Sequence, residues 1–340
     1  MTEKASTIMA HDEMDLMEKT VIQATATRSR ESRKGVSGDT LFRGITILFA
    51  FSVIAILVVM VAGMCVESLP AFIKFGWRFI TGSDWDAVQG SFGALPFIWG
   101  SVISSIFALI LATPLAVGSA LFITEIAPRR FGAVIASLVE LLAAIPSVIY
   151  GLWGVLIMAP WLQRTIEPYL CNHLGFLPFF QGAPYGVSML AAIFILMIMV
   201  IPIITSISKE VILAVPNSQK EAAIALGATR WEMIRMAVLP YGKSGILGAV
   251  ILGLGRAIGE TMAVTMVIGN TPQISLSLMA PAYTMPSVIA NEFAEASSSL
   301  HSAALMEIGL ILLVVTLIIN ILARLLIWSV TRGEKRGTGI

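Results

Sequence analysis

Six long apolar segments dominate the sequence and restrict what it can fold into. They span residues 41–66, 97–123, 132–158, 185–207, 246–268 and 303–328. An apolar helix of about 20 residues is long enough to cross the hydrocarbon core of a bilayer. Charged residues make up only 13% of the 340-residue chain, too few to cover a soluble globule of this length. The sequence therefore predicts an all-α polytopic membrane protein with six transmembrane helices.

Two of these segments contain an internal proline, Pro114 in the second and Pro146 in the third. A proline inside a helix leaves a backbone carbonyl without its usual partner, and lipid offers no replacement. We therefore expect both helices to be packed in protein or to line a cavity.

The distribution of Lys and Arg predicts the orientation. Eighteen of the 22 basic residues fall on one side of the six segments, and three fall on the other, namely Lys74, Arg78 and Arg164. Cytoplasmic loops carry the excess of positive charge in membrane proteins. We expect a mostly disordered cytosolic tail at residues 1–40, a transmembrane domain at 41–330 and a cytosolic C-terminal end at 331–340.

A polar island at residues 218–240, reading SQKEAAIALGATRWEMIRMAVLP, separates the fourth and fifth segments. Residues 218–221 and 229–232 each read S/T-x-x-E, the pattern of a capping box at a helix start. Gly227 stands between them where a left-handed C-cap falls, and Pro240 is expected to end the second helix. The loop at 209–243 thus predicts a two-helix elbow, too short to fold alone and therefore docked on a partner.

The fifth segment contains two charges, Arg256 near its middle and Glu260 four residues later. On a helix these side chains share one stripe, and an arginine at that depth costs about 2.5–3.5 kcal/mol on insertion scales. Gly255, Gly259 and Ala263 form a small-residue flank that a neighbouring helix can approach closely. The residues leave two interpretations open: an internal ion pair, or a cation presented to an anion in transit.

Two further acidic residues and two cysteines lie in or beside apolar surroundings. We favour a structural role for both acidic residues: capping or local pairing for Glu140, early in the third segment, and a hydrated position near the outer end for Glu307, early in the sixth. Cys65 and Cys171 do not have the spacing of a metal or redox motif. Two unpaired thiols are favoured over a disulfide.

The sequence predicts neither an enzyme nor a cofactor or metal site. The three histidines are scattered between the tail and the outer loops, where a lone histidine is usually on the surface: His11, His173 and His301. Gly242-Lys243-Ser244 imitates the end of a phosphate-binding loop, but Ala237 stands where the first glycine is required. A net charge of +1 gives no sign of nucleic-acid binding.

The elbow resembles the cytoplasmic EAA loop of ABC-transporter permease subunits. That loop reads E-A-A, three residues, G, nine residues, then I-x-L-P, and here Glu221, Ala222, Ala223, Gly227 and a final A-V-L-P occupy those positions. The departure is alanine in place of isoleucine at 237. The resemblance implies that these four residues form the coupling helix that seats in a groove of an ATPase subunit.

Three other stretches are similar to phosphate-specific ABC permease subunits of the PstC type. They read GLGRAIGETMAV at 253–264, ELLAAIPS at 140–147 and ANEFAEA at 290–296, and the resemblance covers residues 42–328. Arg256 and Glu260 match the family's Arg and Glu on the fifth span. The resemblance therefore favours a place for both residues in the path of phosphate.

The resemblance implies the type I ABC importer permease fold, located in the cytoplasmic (inner) membrane and working by alternating access. It also implies a second permease subunit of the PstA type, an ATPase dimer of the PstB type that hydrolyses ATP, and an exterior phosphate-binding protein of the PstS type. Molybdate and sulfate permeases are rivals within the class. An ion-coupled secondary carrier needs no ATPase-docking elbow, and a membrane-anchored scaffold needs no buried arginine.

Overall fold

A computed structural model of the chain describes the backbone of residues 36–337 and the side chains of residues 38–328. Most of the expected tail at 1–40, and residues 338–340 of the expected C-terminal end, lie outside the described residues. The chain divides into two compact units, one ending at Gly63 and the other beginning at Met64.

The described part of the first unit is one stretch of apolar helix. Helix α1, Val36–Phe75, begins five residues before the expected start of the first span and extends past the unit boundary. Side chains such as Phe49, Ile56 and Val59 are largely exposed along it, as suits a helix surrounded by lipid.

The second unit is almost entirely helical. After α2, Arg78–Thr81, a short antiparallel hairpin pairs β1, Trp85–Asp86, with β2, Ser91–Phe92. The remaining helices are α3 (Leu95–Ile126), α4 (Arg129–Ala144), α5 (Ser147–Leu174), α6 (Met189–Leu213), α7 (Asn217–Ala225), α8 (Arg230–Ile258), α9 (Met262–Val267), α10 (Met285–Glu292) and α11 (Ser299–Gly337).

Among the described residues, five helices are long and apolar enough to cross a membrane: α1, α3, α6, α8 and α11. A sixth span results if α4 and α5 count as one broken span, because the two meet at 90°. The third span was expected over 132–158 with Pro146 inside it, and the structure breaks the helix just before that proline. A residue before proline is pushed out of the helical region, and Ile145 has φ −66° and ψ 129°.

Helix α6 is the centre of the main core and packs against α3 and α8. Three alanines one turn apart on α3, Ala108, Ala112 and Ala116, are fully buried in this core. Small side chains let two helix backbones approach closely, which is how membrane helices gain contact without a hydrophobic driving force. Pro114 points away from the core and lines an open cavity of about 350 Å³ that Ile135 of α4 also lines. The helix that contains Pro114 therefore packs against protein and lines a cavity, as expected.

The end of the unit opposite the elbow is held by a polar and aromatic cluster. His301 was expected on the surface, but it is buried, with Nε2 3.0 Å from Glu292 Oε2. The indole Nε1 of Trp85 donates to the same carboxylate oxygen at 2.9 Å, and the imidazole stacks on Phe92. The hairpin, α10 and the start of α11 come together here, so a contact between distant residues removes the histidine from solvent.

Candidate functional site

The elbow exists as two helices joined by a tight turn. Its first helix is α7, and its second is the beginning of α8. Gly227 has φ +88°, and its N–H donates to Ile224 O at 2.9 Å. The predicted left-handed C-cap at Gly227 is confirmed.

One of the two predicted capping boxes forms. At the start of α8, Thr229 Oγ1 accepts from the N–H of Glu232 at 3.3 Å, and Glu232 Oε2 accepts from the N–H of Thr229 at 2.8 Å. The box at Ser218 was wrong, since α7 begins at Asn217 after Pro216 and its start has no side-chain cap bond. Pro216 is extended at ψ 132° and takes the N-cap position, so the helix begins two residues earlier than expected and Ser218 lies inside it.

The elbow's second helix does not end at Pro240, contrary to expectation. Residues Ile234–Val238 form a π-helical turn, and the N–H of Leu239 donates to Ile234 O. A π turn shifts the hydrogen-bond register by one residue, which accommodates a proline that has no N–H to donate. Helix α8 therefore continues from the elbow to Ile258.

The predicted coupling residues lie on an accessible surface. Glu221, Ala222 and Gly227 are exposed, and Ala223 is partly buried. A hollow of about 540 Å³ lies between the two elbow helices, lined by Gln219, Ala222, Ala223, Leu226, Gly227, Ala228, Glu232, Met236 and Ala237. The structure thus brings three of the four predicted coupling residues, all except Glu221, to one small-residue concavity.

Arg256 and Glu260 form the predicted ion pair, with Arg256 Nη2 3.2 Å from Glu260 Oε2. The two side chains differ sharply in exposure, 48% for Arg256 and 3% for Glu260. The carboxylate is therefore enclosed by protein, while about half of the guanidinium side chain remains open.

The charged pair lies at a break in the fifth span, which was expected to be continuous over 246–268. Helix α8 ends at Ile258, and α9 begins at Met262. Glu260 Oε1 accepts from the N–H of Ala263 at 3.3 Å. The carboxylate therefore pairs with Arg256 and also accepts a hydrogen bond from the first turn of α9. Interrupted membrane helices occur where the freed backbone is buried in protein or lines a cavity.

The small-residue flank beside this pair is open at its two glycines and closed at its alanine. A Cβ built on Gly255 meets nothing within 4 Å, and one on Gly259 meets only the carbonyl of Gly255 at 3.4 Å. Ala263 is fully buried, and a Cβ built on Gly151 of α5 meets its Cα at 2.9 Å. The described residues of this chain thus supply a close neighbour at Ala263 but not at the two glycines.

The other acidic residues have separate environments. Glu140 Oε1 lies 2.9 Å from Lys209 Nζ, so it has the structural role that we favour, although its partner is 69 positions away on α6. Glu307 was expected in a hydrated position but is buried, and its Oε2 has no hydrogen-bond partner among the described residues. Cys65 and Cys171 both lie in the described range and are unpaired, as favoured.

Sequence reasoning missed an ion pair at the elbow. Lys220 Nζ lies 2.5 Å from Glu125 Oε1 at the end of α3. The two residues are 95 positions apart, so no local spacing rule could have joined them. The available signal was a lysine in a short polar segment, together with an acidic residue just after the C-terminal end of the second apolar segment.

Residues 112–332 match the family described as binding-protein-dependent transport system inner membrane component. The chain is 42% identical over 321 residues to the phosphate transport system permease protein PstC of Mesorhizobium japonicum, covering 93% of this chain and 98% of that protein. It is 43% identical over 314 residues to the protein of the same name from Haemophilus influenzae, covering 91% and 99%. With PstC 2 of Mycobacterium tuberculosis the identity is 38% over 321 residues, covering 90% and 96%.

Solved structures share the fold at low sequence identity. A bacterial ABC transporter that imports alginate matches with a TM-score of 0.55 and 17% identity, covering 84% of this chain and 96% of that one. An inward-facing MetNI methionine ABC transporter matches with a TM-score of 0.51 and 14% identity, covering 69% and 94%. The polytopic helical architecture of ABC importer permeases is therefore also the architecture of this chain.

Proposed function

The chain belongs to the family of binding-protein-dependent transport system inner membrane components, and from that premise we propose that it carries inorganic phosphate through the membrane. It is the permease subunit of an ATP-driven importer, and ATP is hydrolysed on a separate subunit. The relatives named as phosphate permeases align along almost their entire length, which supports phosphate over another oxyanion.

The observation that carries the substrate proposal is the unequal exposure of the charged pair, 48% for Arg256 and 3% for Glu260. A guanidinium has five N–H donors in a planar fork that matches two phosphate oxygens. The described contact with Glu260 is made through Nη2, and the open half of the side chain can turn toward an anion. Arg256 therefore binds phosphate in transit, and Glu260 orients the Arg256 side chain.

The second partner of phosphate in this proposal is the carboxylate of Glu260. Phosphate near neutral pH carries a proton that a carboxylate can accept in a hydrogen bond, whereas sulfate and molybdate are fully deprotonated there. A buried carboxylate beside the cation therefore favours an anion that also donates. The pair has the chemistry to select hydrogen phosphate.

The elbow is the coupling element in this proposal. Glu221, Ala222, Ala223 and Gly227 contact the ATPase, and the exposed Ala222 and the open turn suit a close fit in its groove. A carrier driven by an ion gradient has no use for such a surface. ATP binding and hydrolysis on an ATPase dimer then move the elbow and alternate the access of the path.

The open flank of α8 supports a second permease subunit. Gly255 and Gly259 leave room for a helix backbone, and the described residues of this chain do not fill it. A second permease of the related PstA type packing there closes the path around Arg256. An exterior binding protein of the PstS type delivers phosphate to the assembled pair.

The protein is a multi-pass component of the inner membrane, and we propose that both termini and the elbow face the cytosol. The charge asymmetry of its loops supports this orientation. In a chain lacking Cys65 and Cys171, a cysteine at Ser297 reacts with an impermeant thiol reagent from outside, and one at Asn217 reacts only from inside. Labelling of position 217 from outside contradicts the orientation.

Uptake of labelled phosphate into vesicles tests the function. The permease is co-purified with its partner permease and ATPase, reconstituted, and supplied with binding protein and internal ATP. We expect ATP-dependent uptake that unlabelled phosphate suppresses and that equal concentrations of sulfate or molybdate leave nearly unchanged. Uptake of labelled sulfate or molybdate in place of phosphate contradicts the proposed substrate. Uptake without ATP contradicts the assignment to an ATP-driven importer.

A further inference from the structure

A shielded ion pair attaches the elbow to α3. Lys220 Nζ lies 2.5 Å from Glu125 Oε1, and the two side chains are only 16% and 9% exposed. Lys220 lies in the first turn of α7, and Glu125 lies in the π-helical turn Phe122–Ile126 that ends α3. Single π turns inside helices are frequent at functional positions.

Helix α7 has little else to hold it. All nine of its residues are described, and seven of them are exposed; the exceptions are Lys220 and Ala223. These two lie three residues apart, on one face of the helix. Ala223 packs against a small apolar cluster that includes Ala120 of α3 and Val215, and its single methyl group contributes little area. The ion pair is therefore the main directional contact between the coupling helix and the membrane helices.

The shielding of the pair makes this contact strong and specific. Charges at this separation attract much more strongly in a poorly hydrated setting than on an open surface. Removing one partner leaves the other as a shielded charge without compensation, which is costly. A displacement of α7 along α3 therefore either moves α3 or breaks the pair.

We propose that Lys220 and Glu125 are positioning residues that transmit movement of the coupling helix to α3. This inference rests on the proposed function, in which the ATPase moves the elbow. Helix α3 packs along α6 and also contacts α8, the helix that carries Arg256. The pair thus connects the ATPase-facing helix to the helix bundle around the substrate path.

The test measures coupling in the complete importer. Lys220→Met and Glu125→Gln remove one charge each, and the swap Lys220→Glu with Glu125→Lys restores a neutral pair. Phosphate taken up per ATP hydrolysed is expected to fall about fivefold or more in each single variant, since couplings between sites are typically of this size. The swap is expected to recover at least about half of the wild-type ratio.

A matched control removes a carboxylate–lysine contact elsewhere. Glu140→Gln breaks the pair with Lys209, which lies on α6 and not on α7, by the same change of one oxygen to an amide. Its uptake per ATP is expected to equal that of the wild type. Hydrogen exchange of residues 217–225 provides a readout that needs no transported ion, and protection is expected to fall in the two single variants but not in the control.

Three results overturn the inference. The first is an unchanged exchange rate of residues 217–225 in Lys220→Met and Glu125→Gln, since the pair then does not hold α7. The second is a wild-type uptake ratio in both variants. The third is a swap that assembles with normal yield yet stays as uncoupled as the single variants. Failure of the wild-type importer to take up phosphate contradicts the proposed substrate instead, and the exchange measurement still tests the pair.

Discussion

Two of the ion pairs among the described residues differ in sequence separation and in exposure. Arg256 and Glu260 are four residues apart, and about half of the arginine side chain is open. Lys220 and Glu125 are 95 positions apart, and both are shielded. An open cation keeps donors for a ligand, whereas a closed pair has none to offer and can only hold two elements together. On this difference we propose a binding role for the first pair and a mechanical role for the second.

The largest effect is expected from exchanging the two charges of the more open pair. Exchanging the charges as Arg256→Glu with Glu260→Arg puts the guanidinium in a position that is 3% exposed, beyond the end of α8. Its donors then leave the position that Arg256 holds, and a displacement of even about 1 Å can cost about 100-fold in rate. We expect phosphate uptake to fall about 100-fold while the yield of the complex is kept.

The control for that exchange is the swap at Lys220 and Glu125, which should keep most uptake because only a neutral contact is required there. Arg256→Lys sharpens the result, since it retains the charge and loses the planar fork. Its uptake should fall more than its assembly with the partner subunits. Full uptake by the exchanged Arg256 and Glu260 protein leaves these residues as a structural pair.

An intermediate effect is expected at the turn of the elbow. Gly227 has φ +88° and open space around its missing Cβ, so only the backbone conformation opposes a side chain. A left-handed conformation costs an L-residue about 1–2 kcal/mol, and a β-branched residue suffers most. Gly227→Val is expected to lower stimulated ATP hydrolysis about tenfold. Gly227→Asn, which tolerates this conformation, should stay close to wild type, and equal activity of the two variants contradicts the coupling role of the turn.

The smallest effect is expected at the capping box of Thr229, and Ser218, where no box forms, provides the comparison. Thr229→Ala removes an acceptor for the N–H of Glu232 and should destabilise the start of α8 by about 1 kcal/mol. Hydrogen exchange at the amides of residues 230–232 is expected to rise about fivefold. Ser218→Ala should leave exchange in α7 unchanged, because Ser218 caps nothing. A loss of protection in the serine variant means that its hydroxyl serves α7 after all.

Most of the architecture could be predicted from the sequence, because the bilayer leaves few alternatives. Apolar segments of sufficient length must be helical, and the structure has five such helices and a sixth, broken pair. In the elbow, the left-handed Gly227 and the box at Thr229 follow from hydrogen bonds between residues within one turn. Short-range rules therefore predict these features well.

The remaining features depend on which distant groups the fold brings together. The π turn that carries α8 past Pro240, the break between Ile258 and Met262 and the 90° bend at Ile145 are choices among local conformations of similar free energy. Packing against neighbouring helices selects among them. Lys220 with Glu125, and His301 with Glu292, are contacts between separate elements that no spacing in the chain encodes. Sequence alone identifies groups that are costly to bury, but only the tertiary structure supplies the partner that makes their burial favourable.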